Sequence, residues 1–143
     1  MTTMTAQTTQ VYSVYIKATP EQIWEAITTP EFTERYFHGV RLEIRDGRRW
    51  STLRELAWDE EVLEVDPPRR LVHGWRSLYS DELAGEPPSR VTWEIEPQDG
   101  DYCLLTLVHD RLEGAPKTAE SVAGGWMLVL SGLKTLLETG EPL

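Results

Sequence analysis

The spacing of apolar residues changes twice along the chain, and the changes mark out its elements. VYSVYIK (11–17) is dense in β-branched and aromatic residues, which predicts a strand. In the next segment Thr19 is placed to cap a helix, Pro20 suits its first turn, and Ile23, Trp24 and Ile27 form one apolar face. Pro30 interrupts that helix, and EFTERYF (31–37) reads as a second short one. After Gly39 the pattern becomes strand-like. VRLEIR (40–45) meets RRWSTLRELAW (48–58) across Asp46-Gly47, a hairpin signal, and EEVLEV (60–65) meets RLVHGWRSLY (70–79) across Asp66-Pro67-Pro68. DELAGEPPS (81–89) reads as a loop, and RVTWEIE (90–96) and YCLLTLVHD (102–110) flank the turn PQDGD. From about Thr118 the period becomes helical. Val122, Trp126, Leu130, Leu133 and Leu137 recur at three and four residues, up to Gly140.

One strand, two short helices, five or six antiparallel strands and one long helix make an α+β chain. A single antiparallel sheet must cover one face, and the last helix is the only large element available to do it. The expected architecture is the helix-grip (START-like) fold, a curved antiparallel sheet wrapped around a long C-terminal helix. Residues 10–143 are expected to form one domain, preceded by a flexible N-terminus, 1–9.

Several motifs in this order resemble the activator-of-heat-shock-protein-90-ATPase homologue family, within the START-like, birch-pollen-allergen-like superfamily (SRPBCC). They are Ala18, Ile23-Trp24, Ala26, TTPE (28–31) and the pair Tyr36-Phe37, followed by EVDPPRRLVHGW (64–75). The hairpin RVTWEIEPQDGDYCLLTLVHD (90–110) and the helix GGWMLVLSGLKTLLETG (124–140) complete the match. The resemblance implies the helix-grip fold, with a cavity between sheet and helix. It also implies a second role, that of a co-chaperone-like, stress-response module with a protein partner. A third is enzymatic, since relatives in the superfamily carry out cyclase or hydrolase chemistry in the same cavity.

Charge narrows the classes. The formal net charge of −10 disfavours nucleic acid and anionic lipid surfaces as partners. The single cysteine, Cys103, and the absence of a signal-peptide pattern in MTTMTAQTTQ point to a cytoplasmic protein. No cofactor or metal is expected, because the three histidines His38, His73 and His109 lack metal-binding spacing.

Strand parity supplies the candidate site. Leu71, His73 and Trp75 share a face, as do Leu105, Leu107 and His109, so both histidines are expected to point inward. Each reads either as a hydrogen-bonded core histidine or as a polar anchor for a ligand in an apolar cavity. The expected ligand-cavity residues are Phe37, Trp58, His73, Trp75, Trp93, His109, Trp126 and Leu130. Plain core packing is the alternative for the tryptophans. Tyr36 is expected at the cavity mouth with its hydroxyl near water, beside an inward Phe37. The five acids of WDEEVLEVD (58–66) read as a solvated edge rather than a catalytic group. The expectation is a binding module for a hydrophobic small molecule rather than an enzyme, monomeric or homodimeric, with no catalytic residue assigned.

Overall fold

The computed structural model describes residues 8–78 and 80–143. The flexible terminus expected over 1–9 therefore lies, for residues 1–7, outside the described residues. Among the described residues the elements are β1 (Gln10–Ile16), α1 (Pro20–Thr28), α2 (Pro30–Tyr36), β2 (Arg41–Arg45), β3 (Arg48–Leu53) and β4 (Leu56–Asp66). Then come β5 (Arg70–Trp75), α3 (Asp81–Ala84), β6 (Ser89–Pro97), β7 (Cys103–Asp110) and α4 (Pro116–Thr139). The strands form one antiparallel sheet in the order β1-β7-β6-β5-β4-β3-β2. The two strands flanking α1 and α2 in sequence thus lie at opposite edges of the sheet. The helix pair spans the distance between them.

Local chemistry fixes the helix ends. Thr19 and Gln22 form a capping box: Gln22 N–H donates to Thr19 Oγ1 at 3.1 Å, and Thr19 N–H donates to Gln22 Oε1 at 2.9 Å. Thr29 precedes Pro30 and is extended (φ −117°, ψ 124°), because the proline ring disfavours a helical residue before it. That single residue separates α1 from α2. At the far end Gly140 adopts φ 83° and its N–H donates to Leu136 O at 2.8 Å, which closes α4.

Helix α4 lies on the inner face of the sheet. Its buried side carries Val122, Trp126, Val129, Leu130, Leu133 and Leu136. These pack into one core with Leu71, Val91, Trp93, Leu105 and Leu107 of the central strands and Ile23, Ala26 and Ile27 of α1. The helix-grip arrangement follows. No described helix is long and apolar enough to cross a membrane.

Three local expectations change. Residues 48–58 are not one strand. A tight turn at Arg54-Glu55, with Arg54 at φ 56°, folds them into β3 and the start of β4. Neither residue is a turn former, so the sequence carried no signal there. The segment 81–84 is a short helix, capped by Ser80 Oγ accepting from Leu83 N–H at 3.2 Å. The acids 59–66 lie within β4, where Glu60 is buried while Glu61 and Glu64 are exposed.

Candidate ligand-binding cavity

A cavity of about 470 Å³ opens between α4 and the arm of the sheet made by β2, β3 and β4. Its apolar wall includes Phe37, Leu42, Trp58, Trp75, Trp126 and Val129, with Val40, Leu53 and Val122 beside them. Gly125 lines it from α4, and exposed His38, Leu56, Arg76 and Ser121 stand at its rim. Two small residues leave room at this place, Ser51 on β3 and Gly125 on α4. Ser51 pairs with Leu42 on one side and Trp58 on the other, and Gly125 presents no side chain from the helix.

Four of the expected lining residues are on the wall: Phe37, Trp58, Trp75 and Trp126. The other four, His73, Trp93, His109 and Leu130, lie behind it in the closed core. His73 and His109 are therefore not positioned to anchor a ligand. Their ring nitrogens are all engaged by the protein. Trp93 Nε1–H donates to His73 Nε2 at 3.0 Å, and His73 Nδ1 lies 2.7 Å from Gly74 O. Trp126 Nε1–H donates to His109 Nδ1 at 2.9 Å, and His109 Nε2 lies 2.7 Å from Ser89 Oγ.

These contacts assign the tautomers. An indole nitrogen can only donate, so each histidine nitrogen facing one must be a bare acceptor. His73 therefore carries its proton on Nδ1 and donates to Gly74 O. His109 carries its proton on Nε2 and donates to Ser89. Electrostatics agrees with two neutral rings. Burial, with the Arg49 charge adding to it, holds His73 well below its ordinary pKa. Burial pulls His109 down to about 4, against a partial upward pull from Asp110.

The two histidines work as buttresses. Each fixes one tryptophan, and Trp126 sits at the centre of the aromatic cluster. Its ring centroid is 5.1 Å from Trp75, 5.7 Å from Trp93, 5.8 Å from Phe37 and 5.8 Å from His109. Trp75 Nε1–H is likewise held by Ser77 Oγ at 3.0 Å. The cavity thus meets Trp75 and Trp126 as aromatic faces whose polar handles are already spent.

Tyr36 is a second correction. It is buried at 7% exposure, and its hydroxyl donates to Ala26 O at 2.7 Å. Burial pushes the phenol far above its ordinary value, with Arg49 pulling slightly the other way. The cause is the close approach of α2 to α4. A Cβ on Gly132 would stand 3.3 Å from Tyr36 Cβ, so the ring is sandwiched between helices and cannot reach the mouth. Phe37, its neighbour, is 5% exposed and takes the cavity side. Exposed His38 occupies the rim in place of Tyr36.

Sequence reasoning missed the polar part of the wall. Arg49 and Glu60 face each other across β3 and β4, and Arg49 Nη1 donates to Glu60 Oε1 at 2.8 Å. Both side chains are 3% exposed. Glu60 Oε2 accepts from Arg76 N–H at 3.0 Å. Burial pushes the Glu60 carboxyl up, and the Arg49 charge pulls it back in part. The Arg49 guanidinium also lies 5.7 Å from the Phe37 ring centroid and 5.6 Å from that of Trp75. Two residues along the same face of β3, Ser51 is 1% exposed, and its Oγ has no hydrogen-bond partner. One signal could have found this group. Counting alternation outward from Asp46-Gly47 puts Arg49 and Ser51 on the face of Leu42 and Ile44.

Comparison with known proteins supplies the lineage. The family model described as "Activator of Hsp90 ATPase homolog 1-like protein" matches residues 17–138. The chain belongs to this family. Solved structures resemble it over nearly its whole length. CalU16 from Micromonospora echinospora is 26% identical with a TM-score of 0.71, over 94% of this chain and 76% of that one. The Aha1 dimer from Colwellia psychrerythraea is 16% identical with a TM-score of 0.73, over 94% of this chain and 98% of that one. DynU16, from the dynemicin biosynthetic locus, is 22% identical with a TM-score of 0.76, over 95% of this chain and 49% of that one. No curated protein matched. The family and these neighbours establish the helix-grip fold, and this member's cavity is built on it from the residues described above.

Proposed function

We propose that this protein is a binding module for a hydrophobic small molecule, held between α4 and the β2–β4 arm. The observation that carries the reading is the cavity itself. Its volume, about 470 Å³, falls in the range of small-molecule sites, and its wall is predominantly apolar and aromatic. Phe37, Trp58, Trp75 and Trp126 offer ring faces suited to a flat apolar body. The placement of a homologue in a biosynthetic locus is in keeping with small-molecule handling. Binding is the function proposed.

The test is a titration of purified protein with apolar aromatic probes, read by tryptophan emission and by melting temperature. A bound probe quenches or shifts emission from the three lining tryptophans and raises the melting temperature with concentration. Unchanged emission and melting across the series would remove the reading.

A second reading, a cytoplasmic co-chaperone role, is supported by the family description. The net charge of −10 would favour a basic partner surface. Its test is the ATPase rate of an Hsp90-class chaperone with and without this protein. An unchanged rate at low salt would exclude it.

A further inference from the structure

The polar corner of the cavity says more about the ligand than the apolar wall does. Arg49 and Ser51 stand two residues apart on the inner face of β3, so their side chains emerge about 7 Å from each other. A guanidinium has five N–H donors, and Glu60 takes one of those on Arg49. Both Glu60 oxygens are in use, one with Arg49 and one with the Arg76 N–H. Donor capacity at this corner therefore exceeds acceptor capacity, with four further guanidinium N–H groups and the Ser51 O–H against the remaining lone pairs of Glu60. Ser51 Oγ makes the same point from the other side. It is buried on the cavity wall with no partner, an arrangement that costs stability unless something fills it.

We infer that the cavity takes a flat apolar or aromatic molecule bearing an uncharged carbonyl, whose oxygen accepts hydrogen bonds from Ser51 Oγ and the Arg49 guanidinium. The carbonyl is uncharged because Glu60 already balances Arg49 at contact distance. An anionic headgroup beside Arg49 would place a second negative charge next to that carboxylate in an apolar wall, and the other cation of the lining, Arg76, stands at the exposed rim with its guanidinium donating to Ala84 O. A cation is disfavoured as well, since Arg49 would repel it and already neutralises the Glu60 carboxylate at contact distance. This inference rests on the apolar-cavity reading and adds the chemical class of the ligand to it.

Three probes of one shape separate the two. They are 2-acetylnaphthalene, the hydrocarbon 2-isopropenylnaphthalene (a methylene replacing the oxygen) and 2-naphthoate. Calorimetric titration of the wild-type protein should show the ketone binding about five- to tenfold tighter than the hydrocarbon, the worth of a hydrogen bond of this kind. Naphthoate should bind more weakly than the ketone. In Ser51→Ala, which removes an unpartnered buried hydroxyl and should melt no lower than wild type, the ketone should lose part of its advantage, with Arg49 alone left to donate, while the hydrocarbon is unaffected. The carbonyl stretch of the bound ketone should lie at lower frequency in wild type than in the variant. Equal affinity for ketone and hydrocarbon, or tighter binding of naphthoate, would overturn the carbonyl assignment and leave the apolar cavity standing. Equal loss of ketone and hydrocarbon in Ser51→Ala would overturn it too. Failure of all three probes to bind would overturn the cavity reading itself, and the assignment with it.

Discussion

The indole of Trp126 is hydrogen-bonded to the ring of His109 at 2.9 Å, joining the sheet-facing side of α4 to β7 inside a closed core. On one side of Trp126 lies the cavity, and on the other lie Trp93 and His109. The pair fixes the wall against which a ligand would rest. His109→Leu leaves the Trp126 N–H without its acceptor and Ser89 without its donor. The expected cost is about 2–4 kcal/mol in denaturant unfolding, the usual range for stranded buried polar groups. The Trp126 emission should also broaden.

Acid should weaken the fold through the same histidine. His109 titrates at about 4 when folded and near 6.5 when unfolded. Its contribution is complete above pH 6.5 and is lost as pH falls from 6.5 toward 4, because the unfolded chain takes up the proton first. The full loss is about 3 kcal/mol for this one ring. His73, also held low, adds in the same direction. Glu60 acts with the opposite sign, since its raised carboxyl binds a proton more readily when folded. Unfolding free energy measured between pH 7 and 4 should fall in wild type. In His109→Leu the slope should be shallower.

The Arg49–Glu60 pair should show strong non-additivity. Arg49→Met strands a carboxylate that is 4% exposed, and about 3–5 kcal/mol should be lost. Adding Glu60→Gln to that variant keeps an acceptor for Arg76 N–H and removes the stranded charge. The double variant should therefore be more stable than Arg49→Met alone. A double-mutant cycle by chemical denaturation gives the number.

Glycines on α4 should divide into two kinds. A Cβ on Gly124 meets nothing within 4 Å, so Gly124→Ala should stabilise by about 0.5–1 kcal/mol through helix propensity. Gly132→Ala should destabilise, because its Cβ would stand 3.3 Å from Tyr36 Cβ and 3.6 Å from Tyr36 O. Thermal melts of the two variants should move in opposite directions.

The sequence was most legible where periodicity and turn chemistry agreed. The capping box at Thr19, the stop at Pro30, the hairpin at Asp46-Gly47 and the apolar face from Val122 to Leu133 all announced their elements. Parity also put His73 and His109 on the inner face. Which inward residues line a cavity, and which close the core, was not written in parity. That depends on where the sheet curls away from α4, which pairs Ser51 with Trp58 but seals Trp93 beneath Trp126. Glu60 was hidden for a related reason. It sits in a run of acids that looks solvated until its partner Arg49, eleven residues away, is seen to face it. Tyr36 was misread because adjacency says only that two rings diverge, and the missing side chain of Gly132 decided where Tyr36 went.

The most direct test of a small-molecule cavity fills it. Gly125 lines the cavity from α4, and a Cβ there has only His38 Nε2 near it, at 4.0 Å. Gly125→Leu should place an isobutyl group in the space and leave the core untouched, with a melting temperature at or above wild type. Calorimetric titration of 2-acetylnaphthalene should show binding to wild type and at least a tenfold loss in Gly125→Leu. Binding that survives unchanged in a folded Gly125→Leu protein would contradict the cavity as the site.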